Sequence, residues 1–261
     1  MPGFFKRNTA EQPMQRLAED RLPAAVYAIG DVHGCLAELE QLEQLIAVDL
    51  AGRGIANALI VMLGDYIDRG PASAAVLDHL VAAPSPGFRR VCLSGNHELM
   101  MRNFLANPQE NNSWLLNGGT ETLASYGIDP HTLFSGGRRR TTEILASHIP
   151  ADHLEFLQTL PALLTLPGFV FVHAGLRLGI PLEQQSERDM LWMRHEQAPY
   201  PLQPFGMVVH GHTPAVKPVV ELGRICVDTG AYATGVLSAL SIDGSTKGRI
   251  LQTHPSAKNT G

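Results

Sequence analysis

Five short stretches of this 261-residue chain gather residue types that bind cations and move protons, each beside glycine. They are Gly30-Asp31-Val32-His33-Gly34, Gly64-Asp65-Tyr66-Ile67-Asp68-Arg69-Gly70, Gly95-Asn96-His97-Glu98, His173-Ala174-Gly175 and His210-Gly211-His212-Thr213-Pro214. Asp31 and His33 stand two apart, so on extended backbone an oxygen and a nitrogen donor point to one side, where they can share a metal. A turn with a helix cap explains one aspartate in the second stretch. It does not explain a second aspartate, an arginine and two glycines within seven residues.

The elements that must carry these groups are legible around them. Val26–Ile29 reads as a strand that stops at Gly30, and Leu59–Leu63 as a strand buried on both faces. Arg90–Leu93 reads as a third strand. Residues 36–48, Ala72–Ala83 and Leu99–Leu105 read as helices, the first through its stripe of Leu36, Leu39, Leu42, Leu45 and Ile46. Strands alternating with helices imply a parallel sheet, and open sheets of that kind collect ligands at the carboxyl ends of their strands. Asp31, Asp65 and Asn96 fall at such ends. Residues 108–160 read as a mostly helical insertion, with helices near 141–148 and 151–159. Short strands are expected at Phe169–Val172, Met207–Val209, Val216–Val220, Ile225–Val227 and Val236–Ile242, forming a second, partly antiparallel sheet. Residues 1–22 are expected to be a loosely held arm, 23–254 one domain and 255–261 a tail.

Composition narrows the setting. The net charge of −5 disfavours long nucleic acids as partners, which need a basic face. Cys35, Cys92 and Cys226 lie far apart in no metal-binding spacing, which argues against a disulfide framework. The longest apolar runs, such as Leu160–Leu166, contain proline and fall short of the roughly 18–20 residues that cross a bilayer. No secretion signal opens the sequence, so a cytoplasmic protein is the expectation. Arg138–Arg140 reads as a solvated charge run.

In their order and wording the five stretches resemble the motifs of calcineurin-like metallophosphoesterases, and the Asp-Arg-Gly and Asn-His-Glu forms resemble the phosphoprotein phosphatase type. The resemblance covers roughly residues 26–243. It implies a four-layer α/β/β/α sandwich, two mixed sheets flanked by helices, with a helical insertion. It also implies a pair of divalent ions, with Asp31, His33 and Asp65 at the first, Asp65 bridging, and Asn96, His173 and His212 completing the second. His97 would be the general acid, oriented by Asp68. Arg69, and in a looser match Arg194, would grip phosphate, Tyr232 would line the cleft, and His210 would stand behind the ligands.

Two divalent ions against two carboxylates leave a positive site that suits a phosphate dianion and acidifies a bound water. The mixed nitrogen and oxygen donors favour manganese, with iron or zinc next. The expected activity is that of a serine/threonine protein phosphatase, in which a metal-bridging hydroxide attacks phosphorus in line; a phosphorylated protein, small molecule or nucleotide would be the substrate. The alternative is a symmetrical dinucleoside tetraphosphatase, a group that Asn117-Gly118-Gly119-Thr120 also resembles. A metal-stabilised binding protein without activity is a third reading, weakened because no motif position is lost. Many family members carry arginine immediately before Gly-Asn-His-Glu; Ser94 stands there in this chain and removes one substrate-facing charge.

Overall fold

The computed structural model describes residues 13–194, 200–243 and 248–254. In chain order the elements are β1 (Arg16–Ala18), β2 (Val26–Ile29), α1 (Leu36–Gly52), β3 (Ala58–Met62), α2 (Ser73–Val81), β4 (Phe88–Cys92) and α3 (Asn96–Ala106). A 3₁₀ turn (Asn112–Asn117) leads to α4 (Gly119–Ser125), α5 (Gly137–His148) and α6 (Ala151–Thr159). Then come β5 (Leu163–Leu166), β6 (Phe169–Val172), α7 (Glu187–Trp192), β7 (Met207–His210), β8 (Val219–Val220), β9 (Arg224–Cys226), α8 (Ala231–Thr234), β10 (Ser238–Ile242) and β11 (Arg249–Gln252).

Two sheets stack face to face, ordered β11-β10-β2-β3-β4 and β1-β5-β6-β7-β9-β8. The alternation of side chains along each strand explains the layers. Tyr27, Ile29, Ile60 and Met62 face a helical layer that contributes Leu39, Leu42 and Ile46 of α1, Val76 of α2, Phe104 of α3 and Leu157 of α6. Val26, Ala28, Leu59 and Val61 face the other way and close on Leu164, Phe171, Val209 and Ile225 of the second sheet. That sheet's outer face holds Leu163, Val170 and Val172 against Met190 and Tyr200. Each fully buried Val, Leu, Ile or Phe is worth about 1.5–3 kcal/mol relative to exposure. The helical insertion joins the first helical layer, with Leu123 and Leu145 in the same core.

Two expectations are corrected. Arg16–Ala18, read as part of a loose arm, forms an edge strand parallel to β5, pairing Leu17 with Leu164. The Arg16 guanidinium donates to the carbonyls of Leu182 and Gln185, and Arg89 grips Glu19 through both guanidinium nitrogens. A three-residue strand shows no readable period, and its partner lies far along the chain. Residues 1–12 and 255–261 lie outside the described residues. The second correction is β10, expected in the second sheet. It lies antiparallel to β2 in the first, with Ala239 opposite Ile29 and Ile242 opposite Val26, and β11 adds to it as a hairpin. Its alternate residues suit the place, since Ala239 enters the helix-side core while Leu240 and Ile242 enter the inter-sheet core.

The consequence for function is geometric. β2, β3 and β4 run parallel, as do β6, β7 and β9, and the five polar stretches leave their carboxyl ends on one rim.

Candidate metal centre

Asp65, in the turn after β3, is the hub. Its Oδ2 lies 3.6 Å from His33 Nε2, 3.8 Å from His97 Nε2 and 3.4 Å from His173 Nε2. Its Oδ1 accepts a hydrogen bond from the His97 backbone N–H at 3.0 Å. Glu98 fixes the surrounding loops by accepting from the backbone N–H groups of Asp65, Tyr66 and Gly95. Burial, with Asp65 close by, pushes the Glu98 carboxyl up to about 7.

Two imidazoles have their tautomer set by the backbone. His33 Nδ1–H donates to Ile67 O (2.7 Å) and His173 Nδ1–H to Leu63 O (2.9 Å), so each turns a bare Nε2 inward. His173 Nε2 meets Asn96 Oδ1 at 2.9 Å and His212 Nδ1 at 3.2 Å. Lone pairs of two imidazoles, an amide and a carboxylate thus converge in a buried space where only a cation or a proton can relieve them. Burial, foremost, holds both His33 and His212 down at about 3, which favours the neutral imidazole that a metal ligand needs. Two triads lie within coordination reach, His33/Asp65/His97 and Asp65/His173/His212, sharing Asp65. The donor chemistry fits a pair of divalent ions.

Asp31 stands at the edge of this cluster and joins neither triad. Both its oxygens accept from the His212 backbone N–H (3.1 and 3.0 Å). Burial and the adjacent Asp228 carboxyl raise it well above the usual carboxylate range, and the two acids share a hydrogen bond. A cation beside Asp31 would displace that proton. Gly211 allows the approach, since a Cβ there would lie 2.0 Å from Asp31 Oδ1. Asp228, not among the residues expected from the sequence, lies two residues past β9 and two before Gly230, close to the strand-end pattern of the other stretches.

The second constellation is a proton-handling pair. His97 Nδ1–H donates to Asp68 Oδ2 at 2.6 Å, and both side chains are buried. Burial opposes charge on His97, but Asp65 and Asp68 outweigh it and raise the imidazole above its ordinary value. The helical insertion completes this pair. Trp114 Nε1–H donates to Asp68 Oδ2 (2.7 Å) and the Thr122 hydroxyl to Asp68 Oδ1 (2.6 Å). These partners lie 46 and 54 residues from Asp68, beyond any local pattern.

Arg69 bridges the two constellations, donating to His33 Nε2 (3.1 Å) and His97 Nε2 (3.2 Å) with its guanidinium carbon 4.9 Å from the Tyr232 ring centre. Tyr232 also meets His33 edge-on at 5.3 Å. Arg194 is exposed and close enough to His212 to disfavour its charged form. His210 is turned elsewhere, its Nδ1 to Gly211 O and its Nε2 to Arg224.

Backbone strain marks the same place. His33, Asp65, Asp68, Arg69 and His212 have φ of +43°, +54°, +73°, +67° and +64°, and are the non-glycine residues with positive φ among the described residues. Such backbone persists only where its surroundings over-determine it. One support is Gly118, whose carbonyl accepts from Arg69 N–H at 3.2 Å. At φ +103° a Cβ there would meet Arg69 N at 2.6 Å. Gly118→Ala is expected to cost at least about 1–2 kcal/mol, lower Tm by about 2–8 °C, and reduce kcat/KM by displacing Arg69. Calorimetry and steady-state kinetics check this; an unchanged kcat/KM would show that the insertion does not place Arg69.

A buried cluster of candidate cation ligands at the rim of a two-sheet sandwich, with an imidazole–carboxylate pair and an arginine at its mouth, is the arrangement that suits a metal-dependent phosphoesterase. The chain belongs to the calcineurin-like phosphoesterase family, which its residues 24–216 match. It is 31% identical over 157 residues to the symmetrical bis(5'-nucleosyl)-tetraphosphatase of Aromatoleum aromaticum, a match covering 59% of this chain and 45% of that protein, under half its length. It is 24% identical over 238 residues to the asymmetrical bis(5'-nucleosyl)-tetraphosphatase PrpE of Anoxybacillus flavithermus, covering 81% of this chain and 88% of the relative. The fold is similar to that of a crystal structure of a candidate diadenosine tetraphosphatase, with a TM-score of 0.62 at 22% identity over 92% of this chain and 97% of the other. It is also similar to a cold-active protein-tyrosine phosphatase from a Shewanella species, with a TM-score of 0.57 at 16% identity over 93% of this chain and 80% of that one.

Proposed function

We propose that the chain hydrolyses a phosphoanhydride bond of a dinucleoside tetraphosphate. The observation that carries this reading is the match to a bis(5'-nucleosyl)-tetraphosphatase along 81% of this chain and 88% of the relative. The serine/threonine phosphatase expected first from the motifs has less support, because none of these curated relatives bears that name.

Asp31, His33 and Asp65 would hold one divalent ion, with manganese our choice, and Asp65, Asn96, His173 and His212 the second. When bound, the ions supply an acidified water and polarise the phosphoryl group. Arg69 exchanges its contacts with His33 and His97 for the equatorial oxygens of the reacting phosphate, where guanidinium geometry is favourable. Arg194 would grip the remaining polyphosphate, and Tyr232, against which Arg69 packs, would line the cleft. Protonated His97, released at Nε2 by that movement, gives its proton to the departing phosphate oxygen, while Asp68 holds Nδ1–H and so the ring's orientation. No described helix is long and apolar enough to cross a membrane. The free thiols Cys35, Cys92 and Cys226 support a reducing, cytoplasmic setting.

The deciding assay sets diadenosine tetraphosphate beside phosphoserine, phosphothreonine and phosphotyrosine peptides, with added Mn²⁺. The nucleotide is expected to give the higher kcat/KM, and a chelator should abolish turnover until metal is restored. Two nucleoside diphosphates would mark symmetrical cleavage; a triphosphate with a monophosphate would mark asymmetrical cleavage. A higher kcat/KM on any of the peptides would sink the proposal.

A further inference from the structure

The chain has two tryptophans. Trp114 is buried on Asp68. Trp192 is 41% exposed, and with Tyr232 it makes up the exposed large aromatics among the described residues. Both adjoin the ligand cluster, at opposite ends. The Tyr232 ring is engaged by Arg69 and His33. Among the described residues, the ring contact of Trp192 is a perpendicular one with His212, at 6.5 Å and 78°.

The indole is held in place rather than left on a loose loop. It ends α7, whose Met190 and Leu191 are buried and whose Met190 carbonyl accepts from Ala174 N–H, the residue after His173, at 2.8 Å. At the other end Ser186 caps the helix through Asp189 N–H, and Arg177 pairs with the Asp189 carboxylate. A wide apolar surface kept in water at one fixed spot beside a polar site is an unused binding surface. The ring face of an indole offers phosphate oxygens nothing, whereas a flat heteroaromatic base stacks on it whatever its sequence identity.

We propose that Trp192 is the stacking platform for one nucleobase of the substrate, on the His212 side of the metal centre. The inference rests on the nucleotide reading above and adds where a base sits. Tyr232 is not the platform, because its ring packs Arg69.

The test uses the manganese-loaded enzyme and its Trp192→Ala and Trp192→Phe variants. Binding of ADP and of inorganic pyrophosphate is measured by calorimetry, and KM for diadenosine tetraphosphate by kinetics. Trp192→Ala is expected to weaken ADP binding and raise KM by about 10- to 100-fold, the range for losing one base stack, with pyrophosphate binding unchanged. Trp192→Phe should recover most of the loss. ADP should quench the tryptophan fluorescence of the wild type and not that of Trp192→Phe, where only Trp114 remains. Equal weakening of ADP and pyrophosphate, or quenching that survives in Trp192→Phe, overturns the platform. The nucleotide reading is judged separately, on wild-type turnover: a wild type that hydrolyses diadenosine tetraphosphate beside an unaffected Trp192→Ala rejects the platform alone. A wild type that ignores the nucleotide rejects both.

Discussion

Asp65→Asn is expected to strip both ions from the protein and to lower turnover by about 10³-fold or more. The carboxylate is the element common to the two ligand triads, and Nε2 atoms of three histidines face the same oxygen. An amide keeps the shape but presents one acceptor and no charge, so each ion loses several kcal/mol of stabilisation, about a decade of rate for every 1.36 kcal/mol. Asparagine tolerates the left-handed backbone that Asp65 adopts at φ +54°, so the variant should fold. Metal content by mass spectrometry, read beside far-ultraviolet circular dichroism, separates lost ligation from lost structure. Wild-type metal content with wild-type turnover would remove Asp65 from its bridging place.

The second large effect belongs to His97. His97→Ala should slow hydrolysis of simple alkyl phosphates by about 10²–10⁴-fold, the usual range for general acid catalysis. The loss should be smaller for an anhydride, because a departing phosphate whose second pKa is about 6 needs less protonation than an alkoxide. Asp68→Asn should follow His97→Ala in direction, since the aspartate accepts from His97, Trp114 and Thr122 together and an amide cannot accept all of them. Rates plotted against leaving-group pKa provide the measurement. The slope should steepen in both variants; parallel lines for wild type and variant would deny His97 the proton transfer.

The candidate cluster and the strands behind it were legible because each group sits one or two residues past an apolar run that announces its strand. Glycine on either side then marks the turn. That logic is local. It extends to Asp228, which follows Ile225–Val227 in the same manner but with no histidine beside it. It fails for Trp114 and Thr122, whose link to Asp68 is made only by the folding of the insertion onto α2 and the turn after β3. Sheet membership fails for the same reason. β10 has the apolar content of either sheet, and only its pairing with β2 decides between them. β1 is three residues long and takes its identity from β5, more than a hundred positions away.

The five non-glycine residues at positive φ place a tax on the fold, up to about 1–2 kcal/mol for His33, Arg69 and His212 and less for the two aspartates, and glycine would relieve that backbone strain. Selection for thermal endurance alone would therefore press Arg69 and His212 toward glycine, where no buried donor is orphaned, whereas Asp65 and Asp68 are held by the buried donors that they accept from. A library of this chain screened only for heat resistance should yield silent, robust proteins changed at those two positions. Bound metal should counter that drift in a screen run with Mn²⁺, because an ion that binds only the folded chain returns stability to the ligands that hold it.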